Sequence, residues 1–308
     1  MTIPKEVIDL AEQRIQARAS KDFALSDQLR DKIAELGFII KDKPDGYELL
    51  EKPPFEVFEN LASIKVNSNL LSKRITICLL VDGWLADTKE CIEALLKFMP
   101  KDASVLALDL GNKDAVGNYL ADTQKSNKNL VVVHISQTLE QAGWANSINK
   151  LIELNPAELS VVMDLSSIMS ADAITPLIEQ IKGDIVAAGW KGSLVNLDDQ
   201  WRSVEDKGDG EVDILLGYLF VIKTKIAQEI PANSKAKFYR NADLEWSLEL
   251  RSKGHKLVAF SKDLAVEQKR HHGYHDSDIE YREKESKKTY DRILQNYRGK
   301  TQILSPRR

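Results

Sequence analysis

Cysteine is scarce in this sequence: only Cys78 and Cys91 occur among 308 residues. Two thiols exclude a disulfide-stapled scaffold and a cysteine-built zinc site. Their surroundings, strand-like for Cys78 and helix-like for Cys91, imply buried reduced thiols. No apolar run approaches the length needed to cross a bilayer, and the N-terminus lacks the charged, apolar and small-residue succession of a secretory signal. The sequence therefore reads as a soluble cytoplasmic protein. Net charge is small, -4 at pH 7, which excludes a general field for nucleic acid or acidic membrane and leaves only local basic surfaces open. Low-complexity segments and repeats of solenoid period are also absent.

What is present is a composition of 43% hydrophobic and 29% charged residues, enough for one large α/β domain and a small appendage. The appendage comes first. Val7, Leu10, Ala11 and Ile15 share one helical face, with Pro4 suited to the first turn; Leu25, Leu29, Ile33 and Leu36 share another, which Gly37 stops. Ser20 to Asp22 turns between them, so residues 1–50 read as a helical hairpin that must bury its stripe against something. Residues 51–72, with Pro53 and Pro54, read as a linker. The segment AEQRIQARASKDFALSDQLRDKIAELGFIIKDKPDGYELL, Ala11 to Leu50, resembles the C-terminal helical hairpin of cysteinyl-tRNA synthetases in its Arg-rich helix, KDF turn, SDxLRDxI helix and D-x-P-x-G ending. It touches none of a synthetase's catalytic motifs. That family carries the hairpin near its anticodon-reading end, so the resemblance implies RNA contact. The alternative is a packing or homo-oligomerisation hairpin, which the even balance of acid and base favours because phosphate binding needs a basic stripe.

From Ser72 onward strand and helix patterns alternate. ITICLLV (Ile75 to Val81), SVLALDL (Ser104 to Leu110), NLVVVHI (Asn129 to Ile135) and LSVVMDL (Leu159 to Leu165) are apolar runs of buried strands. Thr88 to Phe98, Ala115 to Thr123, Gly143 to Leu154 and Asp172 to Ile181 read as helices. This order predicts an α/β fold over residues 73–265, a mainly parallel sheet with helices on both faces. Ligands of such sheets collect beyond the carboxyl ends of the strands, where Asp82, Asp109 and Asp164 fall. Leu244, Leu248 and Arg251 then make a helical face that opens with Asp243 and Glu245 and stops at Gly254; Lys256 to Phe260 is a return strand. Residues 266–308 hold His271, His272 and His275, a charged helix and a basic tail.

The order and spacing from about Ile75 to Arg298 resemble family 2 glycosyltransferases of the GT-A fold. ITICLLVDGWLADTKECIEALL resembles the opening strand and helix, ALDLGNKDA the second strand with its acidic end, and GWANSINK the glycine-led helix with its Asn. VVMDLSSIMSADAITPLI stands where the Asp-x-Asp segment belongs, DILLGYLFVIKT resembles the mid-domain strand, NADLEWSLELRSKGHKLV the helix carrying the base, and RHHGYHD the closing His-His-Gly segment. The resemblance implies transfer of a sugar from a nucleotide-sugar donor to a hydroxyl acceptor with inversion. It implies that Asp109 contacts the donor base, flanked by Val81 and Asp82 with Asn149 nearby, and that Asp164 and Ser166 occupy the donor's Asp-x-Asp segment. It also implies a divalent cation, Mn²⁺ or Mg²⁺, on Asp164, His271 and His272, a general base in Asp243, and an acceptor contact from Glu245 and Trp246.

Each residue also has a plainer reading. Asp109 is an acid that starts a turn with Gly111, Asp243 a helix N-terminal acid favoured by the dipole, and the histidine run a solvated polar turn. Three positions depart from the family pattern: Ser166 replaces the second acid, Ile148 the Arg before the helix Asn, and Ala242 the acid before the base. A hydroxyl is a poor cation ligand, so the imidazoles would carry more of the leaving-group charge. These departures support an alternative, a catalytically degenerate nucleotide-sugar-binding or scaffold protein. In the tail, Tyr290, Ile293, Leu294 and Tyr297 are read as docking on the domain. Lys287, Lys288, Arg292, Arg298, Arg307 and Arg308 are read as facing outward, where they could meet a membrane surface, a diphosphate or RNA.

Overall fold

The computed structural model describes residues 3–43, 46–65, 73–113 and 115–307, which fall in two compact units, Met1–Glu56 and Val57–Arg308. In the first, helices α1 (Lys5–Ala19) and α2 (Phe23–Glu35) form the expected pair, with Asp22 capping α2 by accepting from Leu25 N at 3.0 Å. Strands β1 (Phe38–Lys43) and β2 (Gly46–Glu51) then form an antiparallel hairpin that the helix-only reading of residues 1–50 missed. Phe38 and Ile40, with Tyr47 and Leu49, alternate on the face that packs against Val7, Ala11 and Ile33. The α1 stripe and Ile33 are thereby covered within the unit, while Leu25 and Leu36 stay exposed. Arg14 is buried and bonds Asp42 through both guanidinium ends, at 2.6 and 3.2 Å, which holds the Asp42 carboxyl below its ordinary value. The expected linker divides: Val57–Phe58 (β3) already belongs to the second unit's sheet, and residues 66–72 lie outside the described residues.

The second unit continues with β4 (Ile75–Val81), α3 (Leu85–Phe98), β5 (Ala103–Leu110), α4 (Val116–Ser126), β6 (Leu130–Ile135), α5 (Leu139–Ala142), α6 (Trp144–Leu154) and β7 (Leu159–Met163). There follow β8 (Ser167–Met169), α7 (Thr175–Ile178), β9 (Ile185–Gly189), β10 (Gly192–Val195), β11 (Val204–Glu205), β12 (Gly210–Val212), β13 (Ile214–Leu215) and β14 (Leu219–Lys223). Last come α8 (Thr224–Glu229), α9 (Ala242–Ser252), β15 (Lys256–Ala259), β16 (Val266–Gln268), α10 (His272–His275) and α11 (Ile279–Tyr297). Among the described residues, nine strands make one sheet in the order β12-β15-β9-β14-β7-β4-β5-β6-β3. From β3 to β7 it is parallel; β14 enters antiparallel between β7 and β9.

Every residue of β4 and β5 is buried, because both faces of the sheet are covered, and this is why their sequences are nearly continuous apolar runs, broken only by Thr76, Ser104 and Asp109. Direction still alternates along the strand. Cys78 and Leu80 pack with Trp144, Ile148 and Trp246 on one face, while Ile77 and Leu79 pack with Cys91, Ile92 and Leu120 on the other. The two cysteines thus belong to opposite faces and both are free; burial pushes the Cys78 thiol up to about 12.

Two sequence expectations change in detail. The helix expected over Asp172 to Ile181 contracts to the single turn α7, capped by Asp172, which accepts from Ile174 N and Thr175 N. Arg292 and Arg307, read as facing outward, instead turn inward: Arg292 bonds the buried Glu245 and Arg307 donates to the carbonyls of Glu211 and Gly208, and Arg308 lies outside the described residues. Ile293 and Tyr297 of α11 are buried, as docking requires. Gly254 ends α9 in the left-handed region, at φ +85°.

Candidate active site

Strands β4 and β7 run parallel as neighbours, so the residues just past their ends, Asp82 and Asp164, come to one edge of the sheet. Helix α9 brings a third carboxylate. Asn241 enters it in the left-handed region at φ 72°, and Asp243 sits in its first turn, Oδ1 accepting from Leu244 N at 2.9 Å and Oδ2 from Gly217 N at 2.8 Å. The histidines arrive by strand pairing. β16 pairs antiparallel with β8, and Lys269 N donates to Ser166 O at 2.7 Å, which lays the following residues across Asp164. His271 Nε2 then lies 2.6 Å from Asp164 Oδ2. Asp164, Asp243 and His271 line one cleft of about 340 Å³, together with Trp144, Tyr218 and Tyr239.

The charges in this cleft are tuned by burial and by one another. Burial acts to raise the Asp164 carboxyl, but attraction to His271 and two hydrogen bonds from Ser166, N–H at 2.8 Å and Oγ at 2.5 Å, hold it below its ordinary value. Burial disfavours charge on His271, and the Asp164 carboxylate more than offsets this, lifting the imidazole above its ordinary value. His271 Nδ1 accepts from Tyr274 N at 2.9 Å. A single proton therefore resides on Nε2, and the doubly protonated ring carries one there as well. Although Nε2 faces Asp164 closely, it has no in-line hydrogen-bond acceptor. At Asp243 burial dominates and pushes the carboxyl up to about 6, against the lowering effect of the Gly217 and Leu244 N–H groups.

Beside Asp164, Asp82 accepts from the Tyr239 hydroxyl at 3.2 Å, and burial raises its carboxyl. Gly273 lies so close that a Cβ there would be 2.7 Å from Asp82 Oδ2. Sequence reasoning passed over Tyr239, Gly217 and Gly273, whose only signal was their nearness in sequence to recognised segments.

Other expected site residues are engaged elsewhere. Asp109 is wholly buried and bonded through Oδ2 to His134 Nδ1 at 2.8 Å, and Val81 is wholly buried in its strand. Both ends of the Asn149 amide are spent on the backbone of Ala232, at 2.7 and 3.0 Å. Glu245, expected at the acceptor, is 2% exposed and bonded to Arg292 at 2.8 and 3.0 Å and to Asn233 at 2.9 Å. Trp246, expected to stack on the acceptor, is equally buried, edge-on to Phe220 and donating from Nε1 to Ile230 O at 2.7 Å. Both are buried: Glu245, two residues on, lies across the helix from Asp243, and Trp246 is held in the core by Phe220 and Ile230.

The expected cation ligands do not assemble. His272 stacks on Trp84, with ring centroids 4.9 Å apart, and bonds Asp276 through Nδ1 at 2.6 Å. His271 presents a protonated nitrogen, whereas a metal-bound imidazole coordinates through a bare one and donates from the other. Asp164 remains as one carboxylate, with the Ser166 hydroxyl already donating to it. Among the described residues no group of three His, Cys, Asp or Glu side chains could hold a metal ion. The expected ligands therefore do not form a three-ligand cation site among the described residues.

Among solved structures, the mannosyltransferase PcManGT from Pyrobaculum calidifontis, in complex with GDP-Man and Mn²⁺, is similar with a TM-score of 0.55 and 16% identity, over 80% of this chain and 68% of that one. GalNAc-T7, solved with UDP, GalNAc and Mn²⁺, is similar with a TM-score of 0.54 and 12% identity, over 72% of this chain and 48% of that one. The fold is GT-A. At these identities the GT-A likeness is one of architecture. No family model matches the chain. A short stretch is similar to cysteine–tRNA ligases: 49% identity over 45 residues to that of Bacillus pumilus and 54% over 43 residues to that of Phocaeicola vulgatus. The match takes 15% and 14% of this chain, and the chain spans about a tenth of the length of these curated relatives. No helix among the described residues is long and apolar enough to cross a membrane.

Proposed function

We propose that the GT-A domain transfers a sugar from a nucleotide-diphosphate donor to an acceptor hydroxyl with inversion. The observation that carries this reading is the convergence of Asp243, with its raised carboxyl, and the His271–Asp164 pair on one cleft. Above about pH 6 the Asp243 carboxylate takes the acceptor's proton while the acceptor oxygen bonds to the anomeric carbon and the bond to the leaving diphosphate breaks. The Leu244 and Gly217 N–H groups fix the orientation of this base. His271, its Nε2 held 2.6 Å from the ionised Asp164, offsets the charge that develops on the diphosphate, and Asp164 holds the ring there or bonds the donor ribose. Two structural neighbours were solved with Mn²⁺; in this chain His271 takes over the charge compensation that a second acid and its cation would supply.

Calorimetric titration with UDP-, GDP- and dTDP-sugars, each with and without Mn²⁺, tests the reading. The expected result is binding of one donor without a requirement for Mn²⁺, weakened at least tenfold by His271→Ala. Strict dependence on Mn²⁺ would overturn the cation-free site. A second reading, a nucleotide-sugar-binding protein without turnover, draws support from Ser166 and from the core placement of Glu245. Donor binding with no transfer and no donor hydrolysis would favour it, and binding of no donor would remove both readings.

A further inference from the structure

Next to the cleft runs an open groove of about 1080 Å³ that shares Arg240 and Asn241 with it. We propose that this groove seats the acceptor, and that the acceptor is an anionic glycan or polyol chain carrying carboxylate or phosphate groups beyond the hydroxyl that reacts. The proposal rests on the glycosyltransferase reading for the identity of its ligand as acceptor.

Five basic side chains line the groove, Arg202, Arg240, Lys284, Lys287 and Arg298, against two carboxylates, Glu280 and Glu283. This is a local reversal of sign in a chain whose net charge is -4. Arg240 is paired with Glu283 and Lys287 with Asp291, whereas Arg202 and Lys284 have no ion pair among the described residues and Arg298 leans only on the neutral amide of Gln200. Lys284, Lys287, Tyr290, Leu294 and Arg298 recur at three- and four-residue spacing, so they form a single stripe along α11 facing the groove. From Lys284 to Arg298 that stripe is about 21 Å long at the rise of an α-helix, enough for several sugar units. Its inner end meets Arg240, close to Asp243 at the start of α9. A chain lying along α11 would thus bring one terminal hydroxyl to the base. A nucleic acid fits less well, because Tyr290 is the one aromatic among the described residues that line the groove and base stacking needs a series of such faces.

The test uses the full chain and the fourfold variant Arg202→Gln, Lys284→Gln, Lys287→Gln, Arg298→Gln, which spares Arg240 and the cleft. Binding of hexagalacturonate, maltohexaose and a single-stranded hexaribonucleotide is measured by calorimetry at two salt concentrations, beside donor titration. Expected are salt-sensitive binding of hexagalacturonate, at least tenfold weaker in the variant, and little or no binding of maltohexaose, with donor affinity unchanged. Equal affinity for the neutral oligomer, tighter binding of the RNA, or a variant that binds hexagalacturonate like the native protein would overturn the proposal. If the anionic oligomer binds as expected while no nucleotide sugar does, the anion groove stands and its role as an acceptor site falls.

Discussion

His271 Nε2 lies 2.6 Å from Asp164 Oδ2, although the two residues belong to distant parts of the chain that meet only through the pairing of β16 with β8. The pair sets a close donor and a fixed negative charge at the carboxyl edge of the sheet. The ordinary values are 6.5 for the imidazole and 3.8 for the carboxyl, the first raised and the second lowered in the fold. The signs are therefore opposite. His271 contributes stability below 6.5 that is lost as pH rises through its raised value, and Asp164 contributes stability above 3.8 that is lost as pH falls through its lowered one. NMR titration of the His271 ring is expected to give a midpoint above 6.5, and Asp164→Asn to bring it down; a midpoint indifferent to Asp164 would remove the pair from the account.

Asp243→Asn tests the base. Transfer is expected to fall about 10²- to 10⁴-fold, the usual range for loss of a general base, with donor affinity little changed. In the native protein the acid limb of kcat/KM should follow a group near 6, the value to which burial raises Asp243.

The same carboxyl has a consequence for folding. Because its folded value is raised, ionising it opposes the fold, so its contribution is complete below 3.8 and lost as pH rises through about 6. Asp243→Asn is therefore expected to gain about 1–2 kcal/mol over the native protein between acid and weakly alkaline pH. Urea unfolding at both limits measures it, and a gain of the same size at both would refute the assignment.

Arg292 and Glu245 form a buried pair in which the carboxylate is 2% exposed. Arg292→Ala leaves that charge uncompensated and is expected to cost about 3 kcal/mol in urea unfolding. Replacing both residues by well-packed apolar ones should recover much of the loss. An acceptor contact by Glu245 would instead appear as a raised KM for the acceptor at native stability.

Gly273 lets the backbone approach Asp82 more closely than any Cβ allows. Gly273→Ala should displace the Asp82 carboxylate and its bond to Tyr239, lowering stability by about 1–2 kcal/mol and weakening donor binding. Unchanged melting and donor affinity would show that the segment gives way freely.

Much of the fold was legible because burial writes itself into the chain. The apolar runs of β4, β5, β6 and β7, the stop at Gly254 and the helix opening with Asp243 all follow from local periodicity and backbone preference. Where periodicity was weak, the reading slipped: β1 and β2 were merged with the helical hairpin, and α7 was drawn too long. Position in the pattern did not show where each side chain would lie: one helix presents Asp243 to the cleft, while Glu245 and Trp246 are buried in the core.

The sequence by itself determined the alternation of buried strands and covering helices, and with it the sheet edge where Asp82 and Asp164 fall. Only the tertiary structure decided which atoms meet there. Strand pairing brought His271 to Asp164 and the Tyr274 N–H to Nδ1, leaving a proton on Nε2 where a cation ligand was expected. Local spacing cannot encode such a contact, because the position and protonation of a side chain depend on partners supplied by distant segments once the chain has closed around them.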